Sequence, residues 1–146
     1  MPIRTLSDFA GAWTLRRFIT HASGATAEFR GTATWRAQEG MLRCDEVGLI
    51  KVGTAAAVNA RQTYLWDKDL RVHFADGRFF HKVPPGGGDA GHWCDPDQYD
   101  GAYDFADWPA WTVTWTVLGP RKDYHMRSAY SRTEATAQGY DGSARH

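Results

Sequence analysis

The sequence predicts an all-β protein, an antiparallel up-and-down barrel of about eight or nine strands with little helix. Apolar and polar residues alternate over most of the chain, which is typical of strands with one buried face. Short turn motifs separate the alternating stretches, including QEG at 38–40, Asp76-Gly77 and GPRKD at 119–123. A long antiparallel sheet of this kind is expected to close on itself, because closure removes its unpaired edges.

Each strand is predicted from a run of alternating residues and from the turn that ends it. The clearest run is WTVTWTVLG at 111–119, in which large apolar residues alternate with threonines. On the third strand, Gly48 is expected to mark a bulge or a bend. The predicted strands span residues 12–21, 26–37, 41–52, 57–67, 70–74, 78–83, 98–105, 111–119 and 124–132.

The length of the chain indicates its domain organisation. Its 146 residues suit a single domain, predicted as the barrel at 1–133 and followed by a polar tail at 134–146. PPGGG at 84–88 is a flexible break in the pattern. It does not divide the chain into two domains, because alternating stretches of the same kind stand on both sides of it.

Composition and charge exclude several classes of function. Lys+Arg and Asp+Glu number 17 each, so the formal net charge is zero, whereas nucleic-acid binders usually carry a basic excess. No stretch approaches the roughly 20 apolar residues of a membrane span. The N-terminal MPIRTLSDFAGAW lacks the apolar run of a secretion signal. These observations predict a cytoplasmic protein without a nucleic-acid or membrane partner, in which Cys44 and Cys94 are free thiols.

The first and last strands of the predicted barrel carry a pair of residues with a counterpart in a known barrel family. Gly11-Ala12-Trp13 opens the first strand, and Arg132 closes the last one. This arrangement resembles the lipocalin/calycin barrels, in which the tryptophan of a G-x-W motif closes the barrel base and an arginine of the last strand packs across it. The resemblance implies that role for Trp13 and Arg132, with Arg127 as the second candidate for the arginine.

A second resemblance covers the chain from about Leu6 to Arg132. As a set, the matching stretches resemble a small bacterial family of unknown function. The resemblance implies a lipocalin-like barrel with no established activity, and it supplies no catalytic residues. The stretches are GAWTLRR, FRGTATW, DEVG, YLWD, DGRFFH, HWCDPDQYDG and GPRKDY, followed by Tyr130 and Arg132.

Period-two alternation predicts which side chains point into the barrel. The small residues Gly31 and Ala33 of the second strand are expected to leave room there for a ligand. The predicted inner residues are Trp13, Leu15, Arg17 and Ile19 on the first strand, Phe29, Gly31, Ala33 and Trp35 on the second, Trp111, Val113, Trp115 and Val117 on the strand at 111–119, and Tyr124, Met126, Ser128, Tyr130 and Arg132 on the last.

These inward faces predict a mainly aromatic pocket with a few polar groups, which is the usual composition of a small-molecule site. Arg17 and Glu46 are the most informative residues, because a charge inside a barrel must pair or meet a polar ligand. The pattern leaves open whether they pair with each other or face outward after a slip of register. The predicted ligand-binding residues are Arg17, Tyr64, His81, His92, Asp97, Tyr99, Trp115 and Tyr124.

GHWCDPDQYDG at 91–101 concentrates histidine, cysteine and aspartate in eleven residues. We do not predict a metal site there, because a structural zinc site needs four ligands and the chain has neither CxxC nor HExxH. Asp95-Pro96-Asp97 is a turn motif, and Trp93 and Tyr99 are expected to pack over the barrel end. We therefore predict that loop 84–97 is a lid over the barrel mouth, hinged at PPGGG.

Three classes of function fit these predictions, and the first is favoured. It is a binding module for a small, largely apolar or aromatic ligand, with haem among the candidates and His81, His92 or His125 as its axial residue. The second is an enzyme that uses acid–base groups of the same cavity. The third is a filled barrel that acts through its surface, for example as a homodimer. The acid–base groups of the second class are His81, Asp97, Tyr124 and Arg17.

Overall fold

Ten antiparallel strands form one sheet in the computed structural model, which describes residues 2–133. The polar tail predicted at 134–146 lies outside the described residues. Within residues 2–133, no helix has the length and hydropathy of a membrane span. The strands are β1 Gly11–His21, β2 Thr26–Gln38, β3 Met41–Val52, β4 Val58–Trp66, β5 Arg71–Phe74, β6 Phe79–Lys82, β7 Gly88–Cys94, β8 Asp97–Asp104, β9 Trp111–Leu118 and β10 Asp123–Arg132.

The strands form a nearly closed up-and-down barrel, as the sequence predicts. Their order in the sheet is β6-β5-β4-β3-β2-β1-β10-β9-β8-β7, so the first and last strands of the chain pair and join the two halves. The remaining edges, β6 and β7, meet without a hydrogen-bonded ladder. Aromatic contacts bridge this seam, with the ring of His92 5.4 Å from that of Phe80.

One end of the barrel, the base, is closed by aromatic side chains. The odd-numbered strands begin there, and a short 3-10 helix at Leu6–Phe9 brings the fully buried ring of Phe9 into it. That ring lies 5.0 Å from the ring of Trp66 and 5.4 Å from that of Trp111. The opposite end, the mouth, carries the hairpin turns that follow the odd-numbered strands.

Trp13 and Arg132 hold the base together in the way that the G-x-W resemblance implies. The guanidinium carbon of Arg132 lies 3.8 Å from the centroid of the Trp13 ring. Arg132 also donates hydrogen bonds to the carbonyl oxygens of Ala10 at 2.9 Å and Asp8 at 3.0 Å. The indole N–H of Trp13 donates to the carbonyl oxygen of Phe9 at 2.9 Å. The last strand is thereby fixed to the segment before β1.

The alternation correctly predicts the inner faces of β1, β2, β9 and β10. On β1, Trp13 and Leu15 are fully buried, whereas Arg16 and Phe18 between the inner positions are exposed. The same alternation runs along β9 from Trp111 to Val117. The reason is geometric, since successive side chains of a strand point to opposite faces of the sheet.

Gly31 and Gly48 allow β2 and β3 to approach each other closely, whereas Gly31 was expected to leave room for a ligand. The two residues pair across β2 and β3, and a Cβ atom built on either would lie within 2.8 Å of the other strand's backbone. Such a close approach is open only to glycine, because any side chain would collide. Gly31 therefore permits a close approach of β2 and β3 and provides no space for a ligand. The bulge expected at Gly48 is absent, since β3 pairs with both β2 and β4 through Gly48 without a shift of register.

A β-bulge in the β5–β6 hairpin brings two consecutive side chains into the interior. Val72 pairs with His81 and His73 with Phe79, so Phe80 is the extra residue. Phe80 and His81 are both buried, whereas strict alternation would put them on opposite faces. The bulge therefore adds one more aromatic ring to the barrel interior than the sequence pattern predicts.

The prediction of a lid at 84–97 is wrong. Residues 88–94 form strand β7, which pairs with β8 along its whole length, and this strand accounts for the higher strand number. PPGGG lies at the base, where Arg4 donates its backbone N–H to the carbonyl of Pro85 at 2.8 Å, so it is not a hinge at the mouth. Trp93 points outward and is 60% exposed, contrary to the expectation that it covers the barrel end.

Candidate functional site

The barrel interior contains a cavity of about 250 Å³ between the aromatic base and the mouth. It reaches the mouth, since its lining includes the exposed Gln62 and the half-buried Tyr99 and Tyr124. Nine of the ten strands, all except β7, contribute side chains to its walls, including the two β6 residues that the bulge turns inward. The lining residues are Arg17, Trp35, Cys44, Glu46, Gln62, Tyr64, Trp66, Val72, Phe74, Phe80, His81, Tyr99, Tyr103, Val113, Trp115, Tyr124, Met126, Ser128 and Tyr130.

One wall of the cavity, the aromatic wall, is built from β5, β6, β8 and β9. Its central ring is Phe80, which is stacked on Phe74 at 4.8 Å and on Trp115 at 5.3 Å between centroids. The planes of these rings differ by 17° and 23°, so they lie nearly parallel. Gly101 of β8 leaves room for the Trp115 indole, because a Cβ atom there would lie 2.7 Å from its ring. The wall is suited to contact a flat apolar molecule.

The opposite wall, the polar wall, contains a buried ion pair. Two guanidinium nitrogens of Arg17 bind the two carboxylate oxygens of Glu46, Nη1 at 2.9 Å and Nη2 at 3.1 Å. Arg17 Nε donates to the hydroxyl of Ser128 at 2.6 Å, and the Tyr130 hydroxyl donates to Glu46 at 3.2 Å. The structure therefore selects the paired, inward-facing alternative for these two charges.

Electrostatics keep the phenols and the thiol of this wall uncharged. Burial raises the pKa of Tyr64 and Tyr130, and the charge of Glu46 raises both further. Burial and the same carboxylate also raise the pKa of the Cys44 thiol. Burial acts to lower the pKa of Arg17, but the Glu46 carboxylate, together with Tyr130 and Tyr64, outweighs this effect and raises the pKa above its ordinary value. Only Arg17 and Glu46 are therefore charged in this wall near neutral pH.

His81 lies on the aromatic wall as a neutral side chain. Its Nε2 is 2.7 Å from the hydroxyl of Tyr103, and its Nδ1 has no hydrogen-bond partner among the described residues. Burial, together with the charge of His92, lowers the pKa of His81 to about 3. A neutral imidazole with one ring nitrogen already hydrogen-bonded can bind a ligand through the other, but it does not accept a proton near neutral pH.

His81 makes the stability of the barrel depend on acid pH. The unfolded chain takes up a proton at an ordinary histidine pKa, whereas folded His81 stays neutral until about pH 3. Stability is therefore complete above the unfolded pKa and falls as the pH drops through 6.5 towards 3. We expect His81→Gln to reduce the loss of unfolding free energy between pH 7 and 5 by about 2 kcal/mol, measured by urea denaturation.

The exposed His125 supplies the control for this pH experiment. Its ring points outward from β10, and Nδ1 lies 3.3 Å from the hydroxyl of Thr116. We expect His125→Gln to keep the pH dependence of the wild-type protein. Equal slopes for the wild type and both variants would contradict a neutral, buried His81.

Six of the eight predicted ligand-binding residues line the cavity, and two do not. Arg17, Tyr64, His81, Tyr99, Trp115 and Tyr124 belong to its walls, whereas His92 and Asp97 are absent from the lining. Asp97 forms an ion pair with Lys122 across the mouth, with Oδ2 3.1 Å from Nζ, and Lys122 also donates to the Tyr99 hydroxyl at 3.2 Å. His92 packs behind Phe80 at the seam.

The four acid–base groups proposed for an enzyme do not form one constellation. Arg17 is held by Glu46, His81 is neutral and bonded to Tyr103, and Asp97 is paired outside the cavity. General acid–base catalysis needs groups that share one reacting position. In residues 2–133, no group of three or more histidine, cysteine, aspartate or glutamate side chains is arranged to hold a metal ion.

Several lining residues are missing from the predicted set. Phe80 was hidden by the bulge, since alternation assigns Phe80 and His81 to opposite faces. Phe74 and Val72 follow ordinary alternation on β5, so both were within reach of the sequence. Ser128, Tyr130 and Met126 share the inner face of β10, which the alternation identified, so their place in the site was within reach of the sequence. The sequence pattern shows which side chains point inward, but it does not show how far each one lies between the base and the mouth, and so which of them reach the cavity.

The family model for DUF6314, described as a family of unknown function, matches residues 9–132. The chain belongs to this family. The matched region runs from Phe9, whose ring is buried at the base, to Arg132, so it contains the whole cavity lining. No curated protein matches the chain.

Solved structures share this barrel fold at low sequence identity. The S-type phycobiliprotein lyase CPES from Guillardia theta superposes with a TM-score of 0.62 and 9% identity, over 89% of this chain and 91% of that one. A protein of unknown function from the DUF3598 family of Nostoc punctiforme has a TM-score of 0.56 and 11% identity, over 91% of this chain and 51% of its own. These likenesses show the fold of the DUF6314 chain.

Proposed function

We propose that this DUF6314 protein binds one small aromatic molecule inside the barrel. The observation that carries the proposal is the cavity of about 250 Å³, lined on one side by nearly parallel rings and open towards the mouth. A barrel of this kind can fill its interior with side chains or keep a space for one ligand. Here the aromatic cluster at the base is packed, and the space lies above it.

The size of the cavity supports a ligand of one or two fused rings. An engineered apolar cavity of about 150 Å³ already accepts benzene. The larger space here also has polar groups at its wall, and Gln62 and Tyr124 stand near its entrance. A mostly apolar surface with a few placed polar groups is the usual composition of a small-molecule site. The proposed setting is cytoplasmic, in keeping with the free Cys44 and Cys94.

A cavity-filling substitution tests the proposal. Met126 lines the cavity on the inner face of β10. We expect the wild-type protein to bind the uncharged two-ring dye 1-aminonaphthalene with one-to-one stoichiometry and to shift its fluorescence emission to shorter wavelength. Met126→Trp fills the space with an indole and should weaken this binding by at least about tenfold. Fluorescence titration measures both affinities.

The neighbouring His125 offers a matched control, because its side chain points outward from the same strand. His125→Trp introduces the same indole on the outer face and should leave dye binding unchanged. Equal losses in the two variants, or a wild-type protein that does not bind the dye, would contradict the proposal. Independently of the dye, native mass spectrometry of the freshly purified protein would identify any natural ligand by its mass.

A further inference from the structure

The charges of the cavity determine which ligands it can accept. Of the lining residues, only Arg17 and Glu46 carry charge near neutral pH, and these two charges cancel. At the mouth, Lys122 is outside the lining and is bound to Asp97. A ligand in the cavity therefore meets no uncompensated charge from the described residues that line it.

The ion pair also leaves little of Arg17 for an anion to bind. Of the five guanidinium N–H groups, that of Nε is used for Ser128, one each of Nη1 and Nη2 for Glu46, and Nη2 lies 3.4 Å from the Tyr130 hydroxyl as well, so a single N–H of Nη1 remains. Glu46 accepts a third hydrogen bond, from Tyr130. To bind both terminal nitrogens of Arg17, a carboxylate or phosphate on a ligand would have to displace Glu46, which leaves one buried anion without a cation.

We propose that the Arg17–Glu46 pair makes the cavity selective for uncharged aromatic molecules with a polar edge, and that it rejects their anionic analogues. This inference rests on the proposed function of the cavity. The polar edge of the ligand lies against the polar wall, where Tyr64, Gln62 and Ser128 provide uncharged hydrogen-bond donors and acceptors. The flat face of the molecule contacts Phe80 and Trp115.

The contribution of Glu46 is to neutralise Arg17. A barrel with Arg17 alone would present a desolvated cation, which is a strong site for a carboxylate. When Glu46 is bound to Arg17, the pair presents polar groups to the cavity but no net charge. Glu46 is thus a specificity-determining residue, and removing its charge is expected to convert the cavity into an anion site.

Two isosteric ligands test this inference. 2-Naphthamide and 2-naphthoate differ only in an amide against a carboxylate, and isothermal titration calorimetry at pH 7 measures both affinities. In the wild-type protein we expect the amide to bind at least about tenfold more tightly, because the carboxylate loses hydration without gaining a counter-charge. Glu46→Gln keeps the shape of the side chain and should increase naphthoate affinity at least about tenfold.

The double variant Arg17→Gln with Glu46→Gln gives a second test that does not depend on the stability of the single variant. It removes both charges, so the wild-type preference for the amide should persist. A further fall in naphthoate affinity in the double variant would mean that Arg17 already attracts anions in the wild type, and it would overturn the inference.

The outcomes separate this inference from the proposed function. Wild-type protein that binds naphthoate as tightly as naphthamide overturns the charge selectivity, whereas binding of aromatic ligands in the cavity stands. Wild-type protein that binds neither molecule contradicts the proposed function and this inference together. A tenfold preference for the amide that Glu46→Gln abolishes supports both.

Discussion

Glu46→Leu is expected to destabilise the protein by about 3–5 kcal/mol, because it leaves the Arg17 guanidinium buried without its counter-charge. Glu46 is only 3% exposed and accepts hydrogen bonds from Arg17 and Tyr130. The loss is far above that of a typical surface substitution, which changes stability by about 0.5 kcal/mol or less. Urea denaturation followed by tryptophan fluorescence measures the change in unfolding free energy.

The double variant Arg17→Met with Glu46→Leu separates the cost of an unpaired charge from the loss of attraction. Replacing both members of a buried ion pair with apolar residues is often neutral or stabilising. We therefore expect the second substitution to recover more than half of the lost stability. If the double variant is less stable than Glu46→Leu alone, the buried unpaired charge is not the cause of the loss.

Trp13→Ala is expected to cost about 3–5 kcal/mol, the range for removal of a fully buried tryptophan. The Trp13 ring is 0% exposed and lies 5.5 Å from the ring of Trp108 and 5.9 Å from that of Trp111. Its removal also deprives Arg132 of the ring beneath its guanidinium. Both the base packing and the attachment of β10 to the segment before β1 are weakened.

Trp93→Ala is the matched control, since it removes the same side chain from the outer face of β7, where Trp93 is 60% exposed. We expect a change of about 0.5 kcal/mol or less. Chemical denaturation of both variants gives the comparison. A loss at Trp93 as large as that at Trp13 would contradict the assignment of inner and outer faces.

The sequence predicted the barrel and most inner faces, because alternation is a direct consequence of the pleat. Alternation from Trp13 puts Arg17 on the inner face, one of the two alternatives that the sequence left open, and the structure has it there. The G-x-W resemblance likewise located the base, where Arg132 packs on Trp13. These features depend on neighbours in sequence or on a single motif, so the sequence alone carries them.

Features that depend on partners distant in sequence were not predicted. GGGDAGHWC has little intrinsic preference for a strand, and it becomes β7 through its pairing with β8. The bulge at Phe80 and the close approach of Gly31 to Gly48 depend on register between strands. Asp97 is likewise outside the cavity lining and is bound to Lys122 of the next hairpin, a partner 25 residues away in sequence.

The most direct test of the binding account is the position at which an aromatic ligand contacts the protein. The indole N–H resonances of the seven tryptophans report on this in two-dimensional ¹⁵N–¹H NMR spectra. On addition of 1-aminonaphthalene we expect the resonance of Trp115, which lines the cavity, to shift while that of Trp93 on the outer face stays unchanged. A shift at Trp93 with Trp115 unaffected would put the ligand on the surface and contradict the account.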